Sequence, residues 1–230
     1  MISRQTNYLK GAITKMKRLF ASVISCVLIL SLICSGLTVF ATTITGAVDT
    51  DNFVRGVDVS TLDMLEDLGA RFYQNNVESD ALTILKNNGA NYVRLKLWVD
   101  PYDENGNPYG GGNNDYATTL ALARRAKNLG MGVLIDFHLS DFWTDPANQI
   151  KPKAWKDLSY SELKTTLYNY MKDTLNNFAA AGIVPEMVQV GNEISTGILH
   201  DDGKVGNGNE DFSNLAGLLE SAIAGVRASS

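Results

Sequence analysis

Cysteine is nearly absent from this chain. Only Cys26 and Cys34 occur in 230 residues, and both lie inside one apolar run from Leu19 to Phe40. Everything after that run therefore has no means of forming a disulfide or a thiolate metal site. No acidic residue precedes Asp49, whereas Arg4, Lys10, Lys15, Lys17 and Arg18 stand ahead of the run. A basic segment, an apolar segment and then small residues (Val39, Ala41) predict a secretory signal peptide over 1–41, cleaved after Ala41. The run is also long enough to span a bilayer, so an uncleaved anchor is the rival reading. A lipoprotein signal at Cys26 fits worse, because a long apolar stretch follows where a polar tether belongs. The expected product is secreted and extracellular, with no stable membrane association once the leader is removed.

Nucleotide-binding signatures are missing too. The first predicted strand is followed by Ser60-Thr61-Leu62 rather than Gly-x-Gly-x-x-Gly, and no P-loop occurs. Without the five leader cations, 15 of the 20 Lys+Arg remain against 25 Asp+Glu, a net charge of −10. That balance argues against nucleic acid as a partner and suits a neutral polymer.

What is present, beyond a short linker at 42–50, is a β-α alternation over 51–230. Strands are predicted at 53–59, 92–99, 131–138 and 187–193, with an irregular segment after Leu68. Helices are predicted at 62–68, 79–88, 115–128, 159–181 and 214–227. Near-continuous apolar strands joined by helices predict a parallel sheet covered by helices, of α/β class. A doubly wound sheet and a (β/α)8 TIM barrel both satisfy this. Polar residues at the C-terminal ends of the strands (Asp58, Arg94, His138, Asn192 and Glu193) favour the barrel, whose active sites lie at that face. A full barrel takes about 250 residues, so the chain reads as truncated to about its first four βα units.

Val188-Gln189-Val190-Gly191-Asn192-Glu193-Ile194 is the most informative string. Asn-Glu at a strand end suits a retaining glycosidase, where a carboxyl kept protonated by burial and by a second carboxylate donates to the leaving oxygen. Asn192 would then bond the sugar 2-hydroxyl. The plainer reading makes Glu193 a cap for the loop that follows. Asp58, Asp136, Asp141 and Asp145 could be hard-metal ligands, but they are scattered over strand ends and a loop, so sugar binding or loop structure fits them better and no metal is expected. Trp98, Trp143 and Trp155 suit stacking on pyranose rings. Trp143 is the best platform candidate, and Trp155 could equally pin its loop.

These segments act together. Gly56-Val57-Asp58-Val59-Ser60, Asn91 to Trp98, Asp136 to Pro146 and Val188 to Ile194 make the chain resemble the arabinogalactan endo-β-1,4-galactanases of glycoside hydrolase family 53, in order from about Val54 onward. The resemblance implies a retaining β-1,4-galactanase acting as a monomer on pectic galactan, without a cofactor. Any structural calcium would come from a later part of the protein. It implies Glu193 as general acid/base and Arg94 beside the nucleophile, which is a second Glu at the end of a seventh strand beyond residue 230. His138 orients a carboxylate or a sugar hydroxyl. Leu139, where Tyr is commoner, and Lys96, where Arg is commoner, depart from the family pattern. Another β-1,4-glycanase acting on glucan or mannan, and an inactive sugar-binding fragment, are the alternatives. The 230 residues alone are expected to be inactive and poorly soluble, since an unpaired strand edge and apolar surface would be exposed.

Overall fold

A computed structural model of the chain describes residues 53–206, 208 and 210–229; the leader expected over 1–41 and the linker over 42–50 lie outside them. The described chain opens with β1 (Gly56–Asp58), α1 (Leu62–Asp67), a small antiparallel pair β2 (Tyr73–Gln74) and β3 (Val77–Glu78), and α2 (Ala81–Asn87). It continues through β4 (Tyr92–Leu97), α3 (Tyr116–Asn128), β5 (Gly132–Phe137), a 3-10 turn at Lys153–Trp155, α4 (Tyr160–Ala180) and β6 (Met187–Val190). A second 3-10 turn (Ile194–Thr196), the hairpin β7 (Gly197–Ile198) and β8 (Gly203–Lys204), and α5 (Ser213–Arg227) complete it.

Local sequence explains the helix starts. Asp80 and Asp115 accept hydrogen bonds from the backbone N–H groups of Thr83 and Thr118, and Ser159 with Glu162 forms a reciprocal capping box at the head of α4. Each such cap satisfies donors that a helix terminus otherwise leaves free. The segment expected to be irregular after Leu68 instead makes a hairpin. Asn75 and Asn76 sit at φ 52° and 64°, the left-handed pair a tight two-residue turn requires, and Asn tolerates that region better than most residues.

The four principal strands are parallel and lie in chain order, β1-β4-β5-β6. Their register places Asp58 beside Arg94, Lys96 beside Asp136, and Asp136 beside Gln189. Successive side chains of a strand point to opposite faces, so these five share one face. The other face carries Val93, Leu95, Leu97, Val133, Ile135 and Phe137, all buried under the helices. The near-continuous apolar character expected of the strands holds for β5, Gly132-Val133-Leu134-Ile135-Asp136-Phe137, while β4 alternates; one face gathers the charged groups beside Leu134 and Met187, and the other is a hydrocarbon floor. Burying each of those larger apolar side chains contributes about 1.5–3 kcal/mol. Phe137 meets Tyr170 of α4 edge-on at 5.9 Å, and Tyr116 meets Phe178 at 4.9 Å, which locks α3 and α4 over the sheet.

Arg125 of α3 ties the first units together, bonding both Glu66 oxygens and Asp80. Partial burial pushes the Asp80 carboxyl up, but the bonds from Thr83 and Arg125 outweigh it and hold the group below its ordinary 3.8. Glu186, bonded to Lys127 and to the Val133 N–H, is likewise held below its ordinary value against the effect of burial. Depressed carboxyls contribute stability that is complete above their unfolded-state values and is lost as pH falls through the folded ones. The melting temperature is therefore expected to fall as the solution is acidified below about pH 4, and Asp80→Ala should cost about 1–2 kcal/mol while shrinking that acid dependence. Thermal unfolding followed across pH checks both.

Candidate active site

The charged face of the sheet is organised around Arg94. One guanidinium nitrogen donates to Asp58 Oδ2 at 2.6 Å; another donates to Asp136 Oδ2 at 2.5 Å and to Asn192 Oδ1 at 2.8 Å. Nε reaches Gln189 Oε1 at 3.4 Å. Lys96 donates to the same Asp58 oxygen at 2.8 Å. Two cations and two carboxylates thus compensate one another. Charge-assisted bonds of this kind are about twice as strong as neutral ones. Burial pushes the Asp58 carboxyl up, yet the Lys96 and Ser60 bonds more than reverse this and leave it below its ordinary range.

Behind Arg94 lies a buried relay. The Thr144 N–H donates to His138 Nδ1 at 3.0 Å, so a neutral ring carries its proton on Nε2. That nitrogen stands 3.0 Å from Asp136 Oδ2, close but poorly aligned for a hydrogen bond. Thr144 also accepts from Asn192 Nδ2 at 2.7 Å. Asn192 is therefore fixed at both ends of its amide, by Arg94 and by Thr144. His138 thus stands beside the Asp136 carboxylate, its ring held by the Thr144 N–H.

Glu193 does not belong to a strand. β6 ends at Val190, and the backbone then turns through Gly191 (φ 84°) and Glu193 (φ 52°, ψ 46°) into the 3-10 turn. A Cβ at Gly191 would lie 2.6 Å from the Ile194 side chain, so that turn needs glycine on grounds of both space and conformation. Gly191→Ala is expected to cost about 1–3 kcal/mol and to displace Asn192 and Glu193, measurable as a lower melting temperature with loss of turnover. The Glu193 carboxylate is exposed and makes no hydrogen bond or ion pair among the described residues. The burial expected around it is not provided by the described residues.

Several expected sugar contacts change character. Trp98 is 1% exposed, packed against Phe142 at 4.9 Å and His138 at 6.2 Å, so its ring offers no open face to a pyranose. Asp136 is wholly buried and acts on Arg94 and His138 rather than on ligand. Asp141 accepts from the backbone of Asp100 and Lys153, and Asp145 from that of Ala147 and Asn148, so both carboxylates organise loops. Asp58 is committed to Lys96, Arg94 and Ser60, with 31% of its side chain exposed. Trp155 is buried against Tyr170 at 5.3 Å and pins its loop. Trp143 differs. It is 42% exposed, has Lys96 Nζ 4.6 Å from its ring centroid, and lines a cleft of about 720 Å³ with Tyr109, Phe142 and Lys156.

Sequence reasoning missed Gln189, Thr144, Gln149, Phe142 and Tyr109. Gln189 was legible from its alternation with Val188 and Val190. The others depend on how loops fold back, which no local pattern encodes.

Comparison with known proteins bears directly on this arrangement. The chain is 44% identical over 177 residues to the endo-β-1,4-galactanase of Bacillus subtilis (strain 168), covering 76% of this chain and 39% of that protein. It is 43% identical over 174 residues to the arabinogalactan endo-β-1,4-galactanase of Humicola insolens, covering 75% and 48%. The solved GH53 catalytic domain of Ignisphaera aggregans superposes with a TM-score of 0.72 at 49% identity, over 76% of this chain and 48% of that one. The chain thus spans half or less of the length of these relatives, and its parallel sheet comprises the first four βα units of a (β/α)8 barrel. The model of glycosyl hydrolase family 53 matches residues 54–230, and the chain belongs to that family.

Proposed function

We propose that this chain carries the acid/base half of a secreted, retaining endo-β-1,4-galactanase, with Glu193 as general acid/base. The single observation that supports the reading most is the posture of Glu193. It is an exposed, unpartnered carboxylate, held in a left-handed turn just past the C-terminal end of β6 and directly after an Asn bonded to Arg94. Barrel enzymes of this kind place their chemistry at that face. A non-glycine residue in the left-handed region costs about 1–3 kcal/mol, a strain that persists where surrounding bonds impose it and that clusters at functional sites.

In the first half of the reaction, Glu193 gives its proton to the departing galactosyl oxygen while a second carboxylate attacks the anomeric carbon. In the second half, Glu193 removes a proton from water as its oxygen bonds the anomeric carbon, breaking the glycosyl ester and freeing the second carboxylate. Retention needs the two carboxyls about 5–5.5 Å apart, and the nucleophile is supplied by polypeptide outside these residues. Arg94, already facing Asp58, Asp136 and Asn192, keeps the neighbourhood electrostatically suited to an ionised partner. Asn192 retains one amide hydrogen for the sugar 2-hydroxyl. Galactan is the substrate for which the relatives are named, and secretion is read from the apolar leader; the Trp143 cleft suits a neutral polysaccharide.

Reducing-sugar release by the whole enzyme from galactan, cellulose and mannan tests the substrate. Preference for galactan is expected, and preference for either of the others would overturn the assignment. Trp143→Ala is expected to raise KM on galactan about 3- to 10-fold, the equivalent of a lost aromatic contact, with kcat nearly unchanged.

A further inference from the structure

Glu193 needs its left-handed turn maintained, and the bonds on its own segment do not account for that. Gly191 permits the bend, Arg94 holds the Asn192 side chain and the 3-10 turn engages the Glu193 carbonyl, but none of these meets the Asn192 carbonyl on the other side of the Glu193 Cα. Both carbonyls are approached from another loop, that of Asn192 also by Thr144 Oγ1 at 3.5 Å. Gln149, 2% exposed, points its side-chain amide at them: Nε2 donates to Asn192 O at 2.8 Å and lies 3.4 Å from Glu193 O. The same nitrogen donates to Asp145 O at 3.1 Å, in the loop that carries Trp143.

The contact belongs to a seam between the loop after β5 and the loop after β6. The His200 N–H donates to Gln149 O at 2.7 Å, Thr196 Oγ1 donates to Pro146 O at 2.6 Å, and Asn192 Nδ2 donates to Thr144 O. Within that seam, Gln149 is the one side chain whose amide spans both carbonyls around the acid. Buried carbonyls left without a donor are costly; this donor has few alternatives, being enclosed.

We infer that Gln149 is a positioning residue for the acid/base. By closing on the carbonyls of Asn192 and Glu193 it holds the left-handed backbone that aims the Glu193 carboxyl, and it ties that aim to the loop presenting Trp143. The inference rests on the reading of Glu193 as acid/base, and leaving-group dependence separates the two. A galactobioside of an excellent leaving group such as 2,4-dinitrophenol departs without a proton, whereas the sugar leaving group of galactan needs one.

In the whole enzyme, Gln149→Met is expected to lower kcat/KM on galactan about 10- to 100-fold, as expected for a misplaced catalytic group, and less than about threefold on the dinitrophenyl glycoside. Equal losses on both substrates, or no loss on galactan, would overturn the inference. Gln149→Glu gives a second reading that survives if the methionine variant does not fold. A protonated carboxyl can still donate one hydrogen to the carbonyls, whereas an ionised one repels them. Its kcat/KM on galactan, relative to wild type, is therefore expected to fall as pH rises; a ratio independent of pH would count against the role. Glu193→Ala is assayed alongside. Should it show no leaving-group dependence, the acid/base assignment fails and the role of Gln149 fails with it; should it show that dependence while the Gln149 variants do not, only the positioning role is lost.

Discussion

Glu193→Gln in the whole enzyme is expected to lower kcat/KM on β-1,4-galactan by about 10²- to 10⁴-fold, the range associated with a positioned proton donor. The substitution keeps size and hydrogen-bonding capacity but removes the transferable proton. Because the Glu193 carboxylate has no partner among the described residues, its loss should leave the fold intact, and the unfolding free energy should stay within about 0.5 kcal/mol of wild type, as for other exposed substitutions. A large activity loss at constant stability is the signature of chemistry rather than architecture. Wild-type turnover by this variant would end the acid/base assignment.

The parts of this architecture that were legible from sequence are those governed by short-range rules. Asp80, Asp115 and Ser159 announce their helices because a capping side chain acts on a backbone N–H three residues ahead. Arg94 and Lys96 alternate with Val93, Leu95 and Leu97, so their shared face follows from a period of two. That face became a charged network only once register set Asp58 beside Arg94 and Asp136 beside Gln189, information carried by pairing between distant segments. Trp98 shows the limit. An indole at a strand end suits a sugar platform and a core position equally well, and the choice was made by Phe142, 44 positions later, folding across it. Gln149 was invisible for the same reason. Its partners, Asn192 and Glu193, are main-chain carbonyls, which no side-chain pattern marks.

Arg94→Met should be as damaging as loss of the acid, by a different route. Removing the guanidinium leaves Asp136 wholly buried with only His138 and strips Asn192 Oδ1 of its donor. Breaking one side of a buried charge pair costs about 3–5 kcal/mol, because the remaining charge is left uncompensated. That is a large share of the roughly 5–15 kcal/mol that keeps a domain folded. Asp58 is affected less, since Lys96 and Ser60 still bond it and part of it is exposed. The two consequences separate in the double variant Arg94→Met/Asp136→Asn. Neutralising the stranded carboxylate should restore about half or more of the lost stability, as removal of an unpaired buried charge does, while activity on galactan stays at least about 100-fold down. Stability is read from thermal unfolding and activity from reducing-sugar release on the same preparations. Full recovery of turnover with stability would mean that Arg94 only braces the sheet, whereas recovery of stability alone assigns its positive charge to the reaction.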